Sequence, residues 1–264
     1  MGLSISTYYY KKVEKDKNDM IIAKKIEKYI ELIPESGYRS ATIYLNRTML
    51  INHKKVNRIM RENNLLCKKK KKFRSKTTDS KHGLKKYINL VKDFETTDIN
   101  QLIVGDVTAY DVNGKDHFLA TLMDRHNREI IGEAISDKNN TELVLAALEE
   151  AIQNRGRDSL KGCIHHTDSD VRYCSDFYIN KLKSVEMEIS MCVGNAYENA
   201  HAESFNSTIK RQEINASDYD SKEESAKSIF DFIEKYNSIR PHSSIENLAP
   251  VECRKLLEKK EVLH

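Results

Sequence analysis

Residues 101–136 hold three apolar runs of strand length, QLIVGDVTAY, DHFLATLMD and REIIGEAIS, parted only by short polar turns, with NGK between the first two. Turns that short join neighbouring strands in opposite directions, so an antiparallel meander is expected. NNTELVLAALEEAIQNR follows as a long amphipathic helix with Leu143, Leu145, Ala146, Leu148 and Ile152 as its apolar positions. GCIHHT reads as a fourth strand, Ser175 to Lys183 as a helix, EMEISMCV as a fifth strand, and a further helix starts near Asn195. The order β-β-β-α-β-α-β-α places the chain in the α/β class, with a mixed sheet flanked by helices. SKEESAKSIFDFIEKYNSI is a later helix, with Ser221 and Glu224 as a capping box and Ala226, Ile229, Phe230 and Ile233 as its apolar face. Pro250 opens a last helix through Leu257.

The N-terminal part has a different character. NDMIIAKKIEKYIELI carries Ile22, Ile26, Tyr29, Ile30 and Ile33 at helical spacing and is stopped by Pro34 and Gly37. A short helix from about Ser40 through Leu45 follows. INHKKVNRIMRENNLL is a third, with Val56, Ile59 and Met60 inward and Lys54, Lys55, Arg58 and Arg61 outward. Three short helices, the last one basic, fit a helix-turn-helix-type module. Residues 53–86 hold 14 Lys or Arg against Glu62 and Asp79, a charge of +12 in a chain of net +4, so the rest carries −8. Such a segment is an electrostatic footprint for a polyanion, and a solvated linker is the plain alternative. Its densest part supplies Lys68, Lys69, Lys70, Lys71, Lys72 and Arg74. The expected organisation is a helical module over 1–66, a basic linker over 67–97, a core over 98–215 and a helical extension of the core over 216–264. No run approaches the roughly 18 apolar residues of a membrane span. The five cysteines include no CxxC pair, which fits reduced thiols in a cytoplasm.

Three acids stand where acids are costly or convergent. Asp106 shares a strand face with Leu102, Val104 and Thr108, and a carboxylate in such a run must be paired or ligated. Ile164, His166 and Asp168 share a face of the fourth strand. In this order the fourth strand can lie parallel beside the first, setting Asp106 and Asp168 face to face. On the following helix, Ala196, Asn199, Ala200, Glu203, Ser207 and Lys210 make one small, polar face, while Phe205 and Ile209 anchor the other. Three converging carboxylates repel one another unless cations lie between them, and Mg²⁺ or Mn²⁺ suits oxygen ligands and phosphate substrates. Two such ions would serve phosphoryl transfer. Zinc is disfavoured because His165 and His166, consecutive on a strand, point to opposite faces. Taken singly, each acid is equally well a surface charge.

GDVTAY, HHTDSDVRY, SMCVGNAYENAHAESFNSTIK and YNSIRPHSSIENLAPVE, preceded by STYYYKK, GYRSATIYL and INLVKDF, occur in the order found in integrase-like transposases of bacterial insertion sequences. Over nearly its whole length the chain resembles the second-reading-frame proteins of the insertion-sequence-three family. That resemblance implies an RNase H-like integrase core and DNA strand transfer by an Asp-Asp-Glu triad. Motif by motif, it assigns Asp106, Asp168 and Glu203 as catalytic and metal-binding residues. It places Asn199, Lys210, Arg240 and His242 beside them or on DNA; His166 beside Asp168 is a neighbouring group of the same kind. It further implies binding to terminal inverted repeats and target DNA, a homo-oligomer on DNA, a bacterial or archaeal cytoplasm, and fusion to an upstream-frame product, although Met1 just before GLSISTYYY suits a separate or downstream product. The chain departs from the family pattern in lacking tryptophan, in having Asp170 for a glycine, in reading ENA for DNA before the glutamate, and in having one residue fewer between Asp168 and Glu203. Two rivals therefore stand: a catalytically impaired remnant that only binds DNA, and a metal-dependent nuclease without strand transfer.

The basic linker gives the first prediction. Replacing Lys68 to Lys72 with Gln weakens binding equally on specific and random DNA. It also flattens the log–log salt dependence, since each phosphate contact contributes roughly −0.9 to that slope. Affinity measured across a salt series checks this, and an unchanged slope removes these lysines from the interface.

Overall fold

The computed structural model describes residues 17–67, 82–192 and 200–261. STYYYKK, Lys68 to Lys72 with Arg74, and Asn199 lie outside the described residues. The chain divides into two compact units, 1–68 and 69–264, each described by itself. No helix among the described residues is long and apolar enough to cross a membrane.

The first unit is three helices, α1 (Lys17–Leu32), α2 (Tyr38–Leu45) and α3 (His53–Glu62). Ile22, Ile26 and Tyr29 of α1, with Ile33 just past its end, bury against Ala41 and Leu45 of α2 and Val56, Ile59 and Met60 of α3. The Asn52 side chain caps α3 by accepting from the Lys54 amide at 2.8 Å. Lys54 and Arg61 are exposed. Lys55 and Arg58 instead reach back to Asp19 of α1, at 2.9 and 2.7 Å, and Arg58 also pairs with Glu62. Burial opposes ionisation of Asp19, but hydrogen bonds from Lys55 and Arg58 outweigh it and hold the carboxyl below its usual range. Part of the charge expected outward on α3 is thus spent inside the unit.

The second unit is built on five strands, β1 (Leu102–Val112), β2 (Lys115–Asp124), β3 (Ile130–Ser136), β4 (Ile164–Asp168) and β5 (Glu188–Cys192), in the order β3-β2-β1-β4-β5. The β1-β2-β3 meander is antiparallel, and β4 joins β1 in parallel with Leu102 opposite Ile164 and Val104 opposite His166. Helices α4 (Thr141–Arg155) and α5 (Asp176–Ser184) cover one face, where Ile103 and Val107 meet Val144, Leu148, Tyr178 and Leu182. The other face carries α6 (Ala200–Ile209) and α7 (Lys222–Ser238), where Leu102, Val104 and Tyr110 meet Phe205, Ile209, Ile229 and Phe232. A strand covered on both faces is apolar on both, which is why β1 reads as a nearly unbroken run. A π-helical turn, Lys210–Ile214, follows α6, and α8 (Pro250–Glu261) closes the described chain.

Two helices bury part of the expected face, with Leu143, Leu148, Ile229 and Ile233 inward, and are otherwise turned from it. On α4, Leu143, Val144, Ala147, Leu148 and Ala151 are buried, while Ala146 is exposed and Leu145 and Ile152 are half-buried. The cause is close approach: a Cβ on Gly132 of β3 would lie 2.2 Å from the Ala147 carbonyl oxygen and 2.9 Å from the Ala151 Cβ. Small residues set the seam, and bulk follows. On α7 the buried face is Ser225, Ile229, Phe232, Ile233 and Tyr236, and Phe230 is 38% exposed. Polar anchors turn this helix: Ser225 Oγ lies 3.3 Å from Tyr110 Oη, and Tyr236 packs edge-on against Phe205 at 4.9 Å. The α7 cap is half as expected. Ser221 accepts from the Glu224 amide at 3.1 Å, but the Glu224 carboxylate accepts from Asp220 rather than Ser221.

The glycine seam gives the second prediction. Gly132→Ala forces β3 and α4 apart and destabilises the unit by about 3 kcal/mol, at the upper end for overpacking, because the obstruction is backbone that no rotamer can move. Chemical denaturation reads this as a lower midpoint with an unchanged slope; a midpoint equal to wild type shows the seam to be looser than described.

Candidate active site

Continuing the β1–β4 register by two residues sets Asp106 level with Asp168 at the end of β4. Even-numbered β1 residues face α6, so Asp106 points to the helix that carries Glu203. The two oxygens of Asp106 are held separately. Oδ1 accepts from the Val107 amide at 2.8 Å, and Oδ2 accepts from the Asn206 side-chain amide at 2.8 Å. Burial, then repulsion from Asp168, pushes the Asp106 carboxyl up to about 7, against those two hydrogen bonds; Glu203 adds to the repulsion. The three acids are therefore electrostatic neighbours. Lys210, one turn beyond Asn206, faces the same carboxylate: burial lowers its pKa and Asp106 opposes the shift.

Asn206 is absent from the sequence-based site. Its signal was present, since it stands three residues after Glu203 and on the same helical face. Its Oδ1 is buried with no hydrogen-bond partner among the described residues, so the amide has one role in the fold, toward Asp106.

Asp170 is neither a solvated turn residue nor in a left-handed conformation. It is buried, and its Oδ1 accepts from the Arg172 amide at 3.0 Å and from the Arg172 guanidinium. Arg172, also buried, reaches on to Asn139. The acid in the glycine position thus comes with its own counter-charge two residues later. The same loop steadies Asp168, which accepts from the Asp170 amide at 3.3 Å.

The two histidines part as strand alternation requires. His165 packs among Tyr173 and Tyr178 on the α5 face, and its Nε2 lies 2.8 Å from Tyr178 Oη. His166 lies on the Asp168 side of the sheet with Nδ1 2.9 Å from Ser190 Oγ, which also receives the Leu90 amide. It ties the segment before β1 to the sheet. Arg240 and His242 gather around Tyr236, the guanidinium 5.6 Å and the imidazole 4.7 Å from the ring. Burial, reinforced by Arg240 and Arg128, keeps His242 neutral, with its pKa lowered to about 3. Asn237 clamps β3 by exchanging two hydrogen bonds with the Ile130 backbone, at 2.9 and 2.8 Å. The YNSIRPH stretch is thereby built into the core on the Phe205 side of α6.

Residues 97–195 and 186–250 match integrase core domain families, and residues 17–73 match an HTH-like domain. The chain is 31% identical to the putative transposase InsK of insertion sequence element IS150 of Escherichia coli, over 94% of this chain and 89% of that one. This chain belongs to the insertion-sequence transposases. It is 33% identical to the transposase InsF of insertion sequence IS3A of Escherichia coli, over 75% of this chain and 69% of that one. The transposase fold extends further: a chain of the simian T-cell lymphotropic virus intasome superposes with a TM-score of 0.52 at 12% identity, covering 88% of this chain and 74% of that one. The mixed sheet with helices on both faces is an RNase H-like integrase core.

Integrase cores generally work with divalent metal ions. Among the described residues, no three acidic, His or Cys side chains come together to hold one ion. The donor set nevertheless fits such ions in kind. All three groups are carboxylates, Asp106 is an acid raised by burial and then by its neighbours' charge, and Mg²⁺ takes one or two carboxylates and fills its remaining positions with water and phosphate oxygens.

The repulsion at Asp106 gives the third prediction. Its folded pKa is raised, so its contribution to stability is full below about 4 and is lost as pH rises toward about 7. In EDTA, Asp106→Asn is therefore more stable than wild type at pH 8, by about 1–2 kcal/mol after solvent screening, and the gap narrows by pH 5. Denaturation midpoints at the two pH values check this, and a gap independent of pH contradicts it.

Proposed function

We propose that the chain cleaves the ends of an insertion sequence and joins them to target DNA by metal-dependent strand transfer, with Asp106, Asp168 and Glu203 as the catalytic carboxylates. The observation that carries this reading is the carboxyl of Asp106, raised by burial and then by repulsion from Asp168 and Glu203, which favours a cation beside it. Two Mg²⁺ or Mn²⁺ ions, held by Asp106 with Asp168 and by Asp106 with Glu203, would supply charge neutralisation of the phosphate and activation of the attacking oxygen.

The chain's own residues do the rest. Asn206 and the Val107 amide fix the Asp106 carboxylate in one rotamer, so that it is oriented before substrate arrives. Lys210 faces the acids as a cation for a phosphate approaching along α6. Arg172 neutralises Asp170, removing the extra negative charge that would otherwise repel DNA. His166, Arg240 and His242 support the site through packing. Asn199 has a place beside Glu203 by resemblance alone. The module over 1–66 and the basic linker over 67–97 would bind the terminal inverted repeats, with Lys54 and the lysine run on phosphates. The core over 98–215 with its extension over 216–264 would act as an oligomer on DNA, with or without the upstream-frame product.

The experiment is incubation of the full chain with terminal-repeat DNA, a target plasmid and Mn²⁺. Wild type forms strand-transfer products; Asp106→Asn, Asp168→Asn and Glu203→Gln each reduce them by at least 10³-fold, roughly the scale of losing a central electrostatic group, with DNA binding retained. Products from any one variant at the wild-type rate remove that residue from the mechanism. Cleavage without joining marks a nuclease, and binding without cleavage marks a remnant that only occupies DNA.

A further inference from the structure

His201 and Glu203 are two residues apart on α6 and so point away from each other. On the His201 side lies a cleft of about 470 Å³ between the β2–β3 turn and α8. Arg125, Arg128, His201 and Ser244 form its polar wall, and Leu256 and Leu257 part of its apolar wall. The arginines distinguish this cleft. Elsewhere in the unit, Arg155 and Arg254 pair with Glu129, and Arg172 pairs with Asp170. Arg125 instead donates to the Phe94 carbonyl at 2.7 Å, and Arg128 donates through Nε to Ser244 Oγ at 3.3 Å. Neither meets a carboxylate among the described residues, and Arg128 Nη1 is buried with no hydrogen-bond partner there. Glu95 and Glu246 also line the cleft, but both are exposed and remain hydrated. Arg128 adopts a left-handed backbone, φ 65°, which costs a side chain more than it costs glycine. Burial, and Arg125 nearby, lower its pKa against the pull of Tyr236 and Asp124. Two half-buried guanidinium groups held near each other, with no ion-pair contact among the described residues, call for an anion, and their planar forks match phosphate oxygens.

We propose that this cleft binds the sugar–phosphate backbone of a DNA strand, with a phosphodiester on Arg125 and Arg128 and the attached sugar on Leu256 and Leu257. The anion chemistry rests on the cleft alone; the choice of DNA as its source rests on the proposed function. The volume exceeds what a bare phosphate fills, and the leucine wall gives the remainder an apolar partner.

The test uses the full chain and follows fluorescence anisotropy of a labelled random-sequence duplex between about 50 and 200 mM salt. The Arg125→Gln/Arg128→Gln double variant binds about 3- to 10-fold more weakly, with a salt slope shallower by about 1 to 2, roughly one unit for each phosphate no longer neutralised. Because both arginines also brace the turn, Leu256→Glu is a second probe. It adds negative charge at an exposed position, 47% accessible, and weakens binding without removing a hydrogen bond. An unchanged slope in a cooperatively melting double variant overturns the proposal, as does unchanged affinity in Leu256→Glu. Competition separates the sources. Displacement of DNA from wild type by poly-glutamate at equal charge, abolished in the double variant, reassigns the cleft to an acidic protein and overturns the DNA assignment. Displacement by inorganic phosphate alone at millimolar concentration, abolished in the same variant, reassigns it to a free anion. Strand transfer measured in parallel keeps the two readings apart. Intact transfer with unchanged slopes sinks the cleft and leaves the function; altered slopes with no transfer by wild type do the reverse.

Discussion

Parallel pairing of β4 with β1 is the constraint on which the second unit depends. It joins segments separated by a long crossover, and it sets the level of every residue on both strands. With Val104 opposite His166, Asp106 and Asp168 have to meet two residues later. The acids gather because this register, with Ile103 and Val107 on one face and Leu102, Val104 and Tyr110 on the other, brings the two strands' carboxylates level. A slip of one residue would turn each strand inside out. The core thus enforces an arrangement that the carboxylates, left to themselves, oppose.

That opposition is contained locally. Asp106 is gripped from both sides by an amide of its own strand and the side chain of Asn206, so its repulsion is held in place and not relieved by rotation. The helix bearing Asn206 is anchored in turn by Phe205 and Ile209 in the core and by the edge-on contact of Phe205 with Tyr236. Tyr236 belongs to α7, whose Asn237 grips the start of β3. A line of contacts therefore runs from the acid to the far edge of the sheet, and the YNSIRPH stretch serves the site by making its platform rigid.

Much of this was legible in the sequence. The order of strands and helices, the antiparallel meander and the separation of His165 from His166 follow from apolar periodicity and alternation, which are local signals, and that order allows the parallel β1–β4 pair. Which face of α4 and α7 turns inward was not legible, because it is decided by close approach at Gly132 and by hydrogen bonding of Ser225, neither of which hydrophobicity registers. Asn206 was missed because a polar residue on a polar helical face carries no mark of its partner one hundred residues away. The pairing of Lys55 and Arg58 with Asp19 hid in the same way: charge counts along a segment omit a carboxylate supplied by another helix.

The Asp170–Arg172 pair also bears on ancestry. Where the family resemblance implies a glycine, this chain buries an ion pair. Returning position 170 to glycine in one step would remove one partner of a buried pair, and breaking such a pair costs about 3–5 kcal/mol. Removing Arg172 first would take the counter-charge from a buried carboxylate in the same loop. Each single reversal passes through a damaged intermediate, so the two positions are locked in epistasis.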